Sequence, residues 1–444
     1  MHREERRIGN IRNGLDPVNA DFWLRLDNAA KIYPAIESDE MTAVFRLSAV
    51  LKTPVKIGPF LKAIDLLEQR FPYYKMKPRR GFFWHYLQLS GDKITVVPDQ
   101  GIPCRSFKRN ELIFRVLVRG NKVSVEFSHI LCDASGGFEF LRSLLAVYFI
   151  ECNLITPANP AYLQPATQPS SEEFEDSFAK YFQTDLPAPQ KIPKSFHLPF
   201  PLKAKPRFSI ILFQVPIAEI MRRSKEFKVS LTVYLVGVYL LSLQNIHNCM
   251  TPQKRHRVRK IFRIQVPVNL RNIFPSKTMR NFSLYVTPEI DLRLGQYTFD
   301  EILKIVYHKM QLETDKKLIS KIMSRNVGAE RNILLKNTPL FIKSIFLHFT
   351  YRLHGTSRYS GVITNLGKVS LQEEADKLID YFVFIPPPPN KTLKVNCGVI
   401  GFADKLVLSF GNITTSRALE REFIRTLTRE GIPVKIIDHY DNDL

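Results

Sequence analysis

The chain is short of cysteine, of acid and of long apolar runs, and each shortage excludes something. Its five cysteines (Cys104, Cys132, Cys152, Cys249, Cys397) are odd in number, far apart in 444 residues and without a Cys-x-x-Cys pair. Such spacing supports neither a disulfide framework nor a zinc or dithiol site, so reduced and mostly buried thiols are predicted. The apolar runs, Leu231 to Leu243 among the longest, fall short of the ~20 residues that span a bilayer. The opening MHREERRIGN is charged and lacks an apolar core of the signal-peptide kind, so a soluble cytoplasmic protein is predicted. There is no Gly-rich phosphate loop, dinucleotide fingerprint, HExxH helix or GxSxG elbow. Nucleotide hydrolysis, hydride transfer, zinc proteolysis and serine hydrolysis therefore lack support, and no metal site is assigned. Acidic residues number 42 against 64 Lys and Arg, a formal charge of +22. A chain this basic attracts anions, whether phosphorylated cosubstrates, nucleic acid, anionic lipid or an acidic protein, and charge alone does not choose among them.

What is present is ordinary globular material: 45% hydrophobic, 11% aromatic and 24% charged residues. The length suits two large domains or three smaller ones. The first third mixes strands and helices: AVFRLSAVL (Ala43 to Leu51), a helix from about Lys56 to Phe71, and an aromatic strand FFWHYLQL from Phe82. LIFRVLVRG and KVSVEFSHI around Gly120-Asn121 predict an antiparallel hairpin. Its second strand puts Val123, Val125, Phe127 and His129 on one face and Ser124, Glu126 and Ser128 on the other. Phe138, Leu141, Leu145 and Phe149 then recur at helical spacing. From about Leu154 to Pro206 prolines and polar residues dominate, a linker with one short helix at Glu172 to Phe182. A second α/β unit follows, with strand RFSIILFQV, helix Ile217 to Phe227, an apolar helix capped by Ser230, strands IFRIQVPVNLR and NFSLYVTPEID, a long helical region from Phe299 to about Arg325, and late strands GVIT, YFVFI, KVNCGVIGF and KLVLSFGN before a closing helix. Pro386 to Pro389 reads as a rigid loop between two of these strands, and KRHRVRK (Lys254 to Lys260) as a solvated basic loop rather than a nucleic-acid site.

One spacing invites a chemical reading. His129-Ile-Leu-Cys-Asp133 is His-x-x-x-Asp, but with 10 His and 19 Asp in the chain roughly 0.4 such matches arise by chance. A second copy, His439 to Asp443, falls in an acidic tail with no strand predicted before it, and is read as accidental. The copy at His129 closes a strand and precedes a glycine-containing turn into a helix, which fixes an imidazole at a domain edge. Cys132 beside it reads as a small buried hydrophobe, not a nucleophile. Asp133 reads either as a helix N-cap or as half of an ion pair.

These residues resemble the acyltransferase superfamily of chloramphenicol acetyltransferase, the plant BAHD enzymes and peptide-synthetase condensation domains, and within it the alcohol acetyltransferase branch. The similarity is carried by FSHILCDASGG (Phe127 to Gly137), FPYYKMKPRRGFFWHYL (Phe71 to Leu87), PVNLR (Pro267 to Arg271), NFS (Asn281 to Ser283) and GVITNLGKV (Gly361 to Val369), in family order. It departs from the family at Ala134, where glycine is common, and it lacks the DFGWG motif of the plant branch.

The resemblance implies an α/β protein of two chloramphenicol-acetyltransferase-like domains, each a mixed β-sheet flanked by helices, with the active-site channel between them. In chain order this gives an N-terminal domain at 1–165, a Pro-rich linker at 166–206 and a C-terminal domain at 207–444. It implies His129 as general base, Asp133 bracing the site through Arg271, and Thr364, Asn365 and Gly367 as candidates for oxyanion or substrate positioning. It also implies acyl transfer from a thioester to a hydroxyl or amine, with no tightly bound cofactor. Acyl-CoA is the first choice of donor and an acidic acyl-carrier protein the second. The rival readings are a carrier-dependent condensation-type enzyme and a non-catalytic basic protein on the same fold. Peripheral contact with an anionic membrane also suits the charge; nucleic acid is not the expected partner.

Overall fold

The computed structural model describes residues 22–38, 41–156, 165, 167–184, 186–187, 192–331, 337–343, 345 and 356–440. In chain order the first half supplies β1 (Trp23–Arg25), β2 (Val44–Leu51), α1 (Ile57–Arg70), β3 (Met76–Arg80), β4 (His85–Leu89), β5 (Val96–Pro98), β6 (Phe114–Arg119), β7 (Lys122–Ser128) and α2 (Ala134–Glu151). α1 forms where Phe60, Ala63, Ile64 and Leu67 recur on one buried face. The β6–β7 hairpin turns at Gly120, whose φ of +60° costs a glycine little.

The second half supplies β8 (Ser209–Pro216), α3 (Ile217–Glu226), α4 (Leu231–Asn248), β9 (Ile261–Asn269), β10 (Ser283–Val286), β11 (Glu289–Asp291), α5 (Phe299–Glu313), α6 (Lys316–Arg331), β12 (Gly361–Val369), β13 (Ile379–Ile385), β14 (Val395–Phe402), β15 (Lys405–Asn412), α7 (Ala418–Arg429) and β16 (Lys435–Tyr440). Ser230 caps α4 by accepting from the Val233 N–H, as its sequence position predicts. The five-stranded sheet runs β13-β2-β7-β6-β5, and the eight-stranded sheet runs β10-β9-β12-β14-β15-β8-β16 with β11 also on β9. Both are mixed, since β5 is parallel to β6, and β12 is parallel to β9 and β14. Two mixed sheets flanked by helices agree with the predicted fold class. A small third sheet, β1-β4-β3, stands beside them.

Several elements differ from the reading of the sequence. β13 lies far beyond residue 207 yet pairs with β2 in the first sheet, so the sheets do not follow the division 1–165, 166–206 and 207–444. Phe382 and Phe384 on β13 bury in the core of the first half, which gives the crossover its driving force. The described part of the linker is built into the molecule. Glu173 accepts two 2.8 Å hydrogen bonds from Arg70 and one of 2.6 Å from Tyr73, all buried. The aromatic strand begins at His85, and Phe82 and Phe83 form the tip of a turn closed by the Gly81 N–H on the Trp84 carbonyl. The long helical region is two helices, because Thr314 caps α5 and the Asp315 carboxylate accepts from the Lys317 N–H to start α6. His439 is exposed on β16, an edge strand that the sequence reading missed. Glu126, on the polar face of β7, is also buried, because Arg46 on β2 meets it at 2.8 Å and Asp99 at 2.9 Å.

Residues 1–206 expressed alone would leave β2 as an unpaired edge above an uncovered aromatic core. That fragment is expected to aggregate or to bind a hydrophobic dye strongly. A soluble, cooperatively melting fragment in circular dichroism and calorimetry would contradict the crossover's importance.

Candidate active site

His129 follows β7 immediately, and its backbone N–H donates to the Ala43 carbonyl beside β2 at 2.8 Å. The two central strands of the first sheet therefore hold its backbone. Its ring stacks on Tyr33, with centroids 5.5 Å apart and planes at 14°, and packs at 4.8 Å on Phe45. Burial pushes the imidazole below its ordinary value, opposed by Asn281, the charge of Asp133 and the Cys132 backbone. A neutral ring at pH 7 results.

The tautomer follows from Asn281. Its Nδ2 donates to the His129 carbonyl at 2.8 Å and to the Asp27 carboxylate at 3.1 Å, so only acceptors surround that end of the amide. The other end, Oδ1, lies 3.4 Å from His129 Nδ1 and can only accept. Nδ1 therefore carries the proton and Nε2 holds the free lone pair. The 3.4 Å separation is long, as such contacts often are before a substrate is bound. Burial raises Asp27 to about 6, with Arg280 opposing it, so the carboxyl is ionised above that pH. Asp27 carries no motif that marks it in the sequence. Asn281 stood in the NFS segment without an assigned role.

Asp133 joins the two halves. Its Oδ1 accepts from the Gly136 N–H at 3.0 Å, which caps α2, while Oδ2 accepts from Arg271 Nη1 at 2.8 Å and from the Phe282 N–H at 2.9 Å. The N-cap and ion-pair readings hold together, one on each oxygen. Arg271 spends its remaining donors on its own loop: Nε on the Thr278 carbonyl at 2.9 Å, Nη1 on Asn269 at 3.1 Å and Nη2 on the Arg280 carbonyl at 2.6 Å. The loop from 271 to 282 thus takes its shape from one guanidinium, and Asn281 is delivered to His129. Gly136 permits the approach, since a Cβ there would lie 2.1 Å from the Met279 carbonyl oxygen.

A cavity of about 220 Å³ opens at His129, walled by Tyr33, Ala43 and Glu37 from the first half and by Pro267, Val362 and Thr364 from the second. Of the residues read as positioning candidates, Thr364 lines this cavity. Asn365 and Gly367 do not: Asn365 Nδ2 donates to Thr232 at 3.0 Å and its Oδ1 accepts from the Gly367 N–H at 2.8 Å. Alternation along β12 turns neighbours to opposite faces, so Thr364 and Asn365 cannot share one cavity. Pro386 to Pro389, between β13 and β14, form part of the wall. Glu37, which no motif marks, contributes a carboxyl whose titration burial pushes up.

Cys132 is fully buried, and burial with the charge of Asp133 pushes its thiol far up, so it offers no thiolate. The basic run at Lys254 to Lys260 forms the short helix Pro252–Arg257 and its flank, with no residue buried in that helix. Among the described residues no group of three or more His, Cys, Asp or Glu side chains is arranged to hold a metal ion.

No family model and no curated protein matches the chain. Solved structures do. Polyketide synthase associated protein 5 from Mycobacterium tuberculosis superposes with a TM-score of 0.55 at 14% identity, covering 91% of this chain and 96% of that one. Trichothecene 15-O-acetyltransferase from Fusarium sporotrichioides gives 0.57 at 8% identity, covering 92% and 94%. The first condensation domain of the CDA synthetase gives 0.58 at 12%, covering 93% and 97%. The chain also spans 43% of the length of a larger nonribosomal peptide synthetase. The likeness is one of fold: this chain has the architecture of condensation domains and of that acetyltransferase.

Removing either partner of the Asp133–Arg271 pair leaves the other charge uncompensated in a largely buried setting, at a cost on the order of 3–5 kcal/mol. Asp133→Ala and Arg271→Ala are each expected to lower the denaturation midpoint. The double variant is expected to lose less than the sum, as coupled partners do. Additive losses in chemical denaturation would mean that the pair is not coupled.

Proposed function

We propose that the protein is an acyltransferase that moves an acyl group from a thioester to a hydroxyl or amine, with His129 as general base. The observation that carries this is a neutral imidazole, protonated at Nδ1 by its contact with Asn281, facing an interlobe cavity. Nε2 takes the proton of the acceptor as its oxygen or nitrogen attacks the thioester carbonyl. The tetrahedral intermediate collapses, the C–S bond breaks, and the departing thiolate takes the proton back from the imidazolium. A positioned base of this kind contributes ~10²–10⁴ in rate. Thr364 lines the same cavity, and its hydroxyl is the donor we assign to the oxyanion. Asp133 and Arg271 act on the base through the loop and not on the substrate.

Acyl-CoA is the donor we favour, because a charge of +22 speeds encounter with a phosphorylated cosubstrate. An acidic acyl-carrier protein would gain from the same field, and the likeness to a condensation domain supports that second reading. The two separate in one experiment: release of free thiol from acyl-CoA with pooled alcohols and amines, with and without an acyl-carrier protein. Turnover only with the carrier would move the enzyme to the condensation type.

His129→Ala is expected to lower turnover by at least ~10²-fold while the melting temperature stays near that of wild type. Retention of more than about a tenth of turnover would remove His129 from the chemistry. The pH profile follows from the sign of the shift. A base works when deprotonated, and the folded imidazole lies below its ordinary value of about 6.5. Activity should therefore be level at neutral pH and fall only on the acid side of that value. A midpoint above 7 in kcat/KM would contradict the assignment.

A further inference from the structure

A groove of about 980 Å³, sharing no lining residue with the His129 cavity, lies against the small sheet β1-β4-β3. Its surroundings are unusually apolar for exposed surface. Phe82 and Phe83 project from the β3–β4 turn at 70% and 41% exposure, and Trp23 on β1 stands at 48%. Phe341, Ile342 and Ile345 beside them are 57%, 47% and 71% exposed. The two groups are joined physically: the Leu340 N–H donates to the Phe82 carbonyl at 2.9 Å, and Lys343 Nζ donates to the Phe83 carbonyl at 3.2 Å and sits 3.6 Å over the Trp84 ring. A contiguous patch of large apolar side chains on open surface marks something that covers it.

The charge around the patch indicates what that is. Arg25 and Lys31 line the groove, and among the described lining residues Asp176 is the only carboxylate; Lys343 is buried beneath the Trp84 ring and serves the patch as a strut. Tryptophan and phenylalanine rings flanked by Lys and Arg are the combination that inserts at the headgroup level of a bilayer, where the rings take the acyl boundary and the cations take anionic headgroups. Among the described residues no single helix is long and apolar enough to cross a membrane.

We propose that this aromatic and basic surface docks the protein on an anionic membrane, with the β3–β4 tip and the exposed Phe341, Ile342 and Ile345 entering the headgroup layer. The chain supplies its own probe. Its two tryptophans, Trp23 and Trp84, both line this groove, so intrinsic fluorescence reads the contact at the site itself. The experiment uses the full chain with vesicles of phosphatidylcholine alone and with added phosphatidylglycerol, in sedimentation and in tryptophan emission. Binding to the anionic vesicles is expected to be at least about tenfold tighter, to weaken about tenfold or more between low and high salt, and to shift emission to the blue. The exposed double variant Phe82→Ser with Ile345→Ser should melt like wild type and bind at least about tenfold more weakly; Phe82→Ser alone serves should the pair disturb the fold. Absence of vesicle binding, binding without a change in emission, or equal binding by the variant would overturn the proposal. So would a wild type that ignores vesicles but binds an acyl-carrier protein through these residues, which would make the patch a protein interface.

Discussion

The site depends on one carboxylate. Asp133 ends the turn after β7, and its two oxygens serve two halves of the chain: one caps α2, while the other receives Arg271 and the Phe282 backbone from the second half. A carboxylate with three such donors is fully satisfied in a largely buried place, so it holds its geometry without help from water. Everything nearer His129 inherits that geometry. Asn281 precedes Phe282 directly, and its amide determines which nitrogen of His129 carries the proton. The aspartate of the His-x-x-x-Asp spacing is thus a joint between lobes that positions His129 at one remove.

The same joint explains why the two halves are not independent. β13 crosses into the first sheet, Glu173 from the linker pairs with Arg70, and the Glu173 carbonyl accepts from the Met279 N–H on the Asn281 loop. The linker thus meets the loop that Arg271 shapes, while β13 ties the second half to the first sheet. A cavity between lobes needs both walls placed to within a fraction of an ångström, and buried ion pairs with saturated donors supply direction that apolar packing lacks.

The apolar surface around Phe82 and Ile345 belongs to a different region of the fold. It is built from the hairpin tip of the small third sheet and the exposed Phe341, Ile342 and Ile345, outside the two large sheets. In the sequence, Phe82 and Phe83 looked like strand residues. The turn closed by Gly81 and Trp84 places them outside the ladder, because a strand pattern of aromatics does not reveal where the chain reverses.

Local physics was legible in the sequence wherever it acts over a few residues. The β6–β7 hairpin follows from alternation around Gly120-Asn121, α1 and α4 from periodicity and caps, and His129 at the end of a strand from the same alternation. The ion pair of Asp133 with Arg271 came from resemblance to a family and not from spacing. What the sequence could not contain is information spread over long separations. Asp27 and Asn281 are 254 positions apart and Asn281 and His129 are 152 apart, yet their side chains meet. No periodicity spans such distances, and each residue alone reads as a polar surface position. The placement of β13 and the burial of Glu126 by Arg46 likewise depend on which strands the tertiary fold brings together. That choice is made by burying apolar area and satisfying buried charge over the whole molecule, so only the tertiary structure decides it.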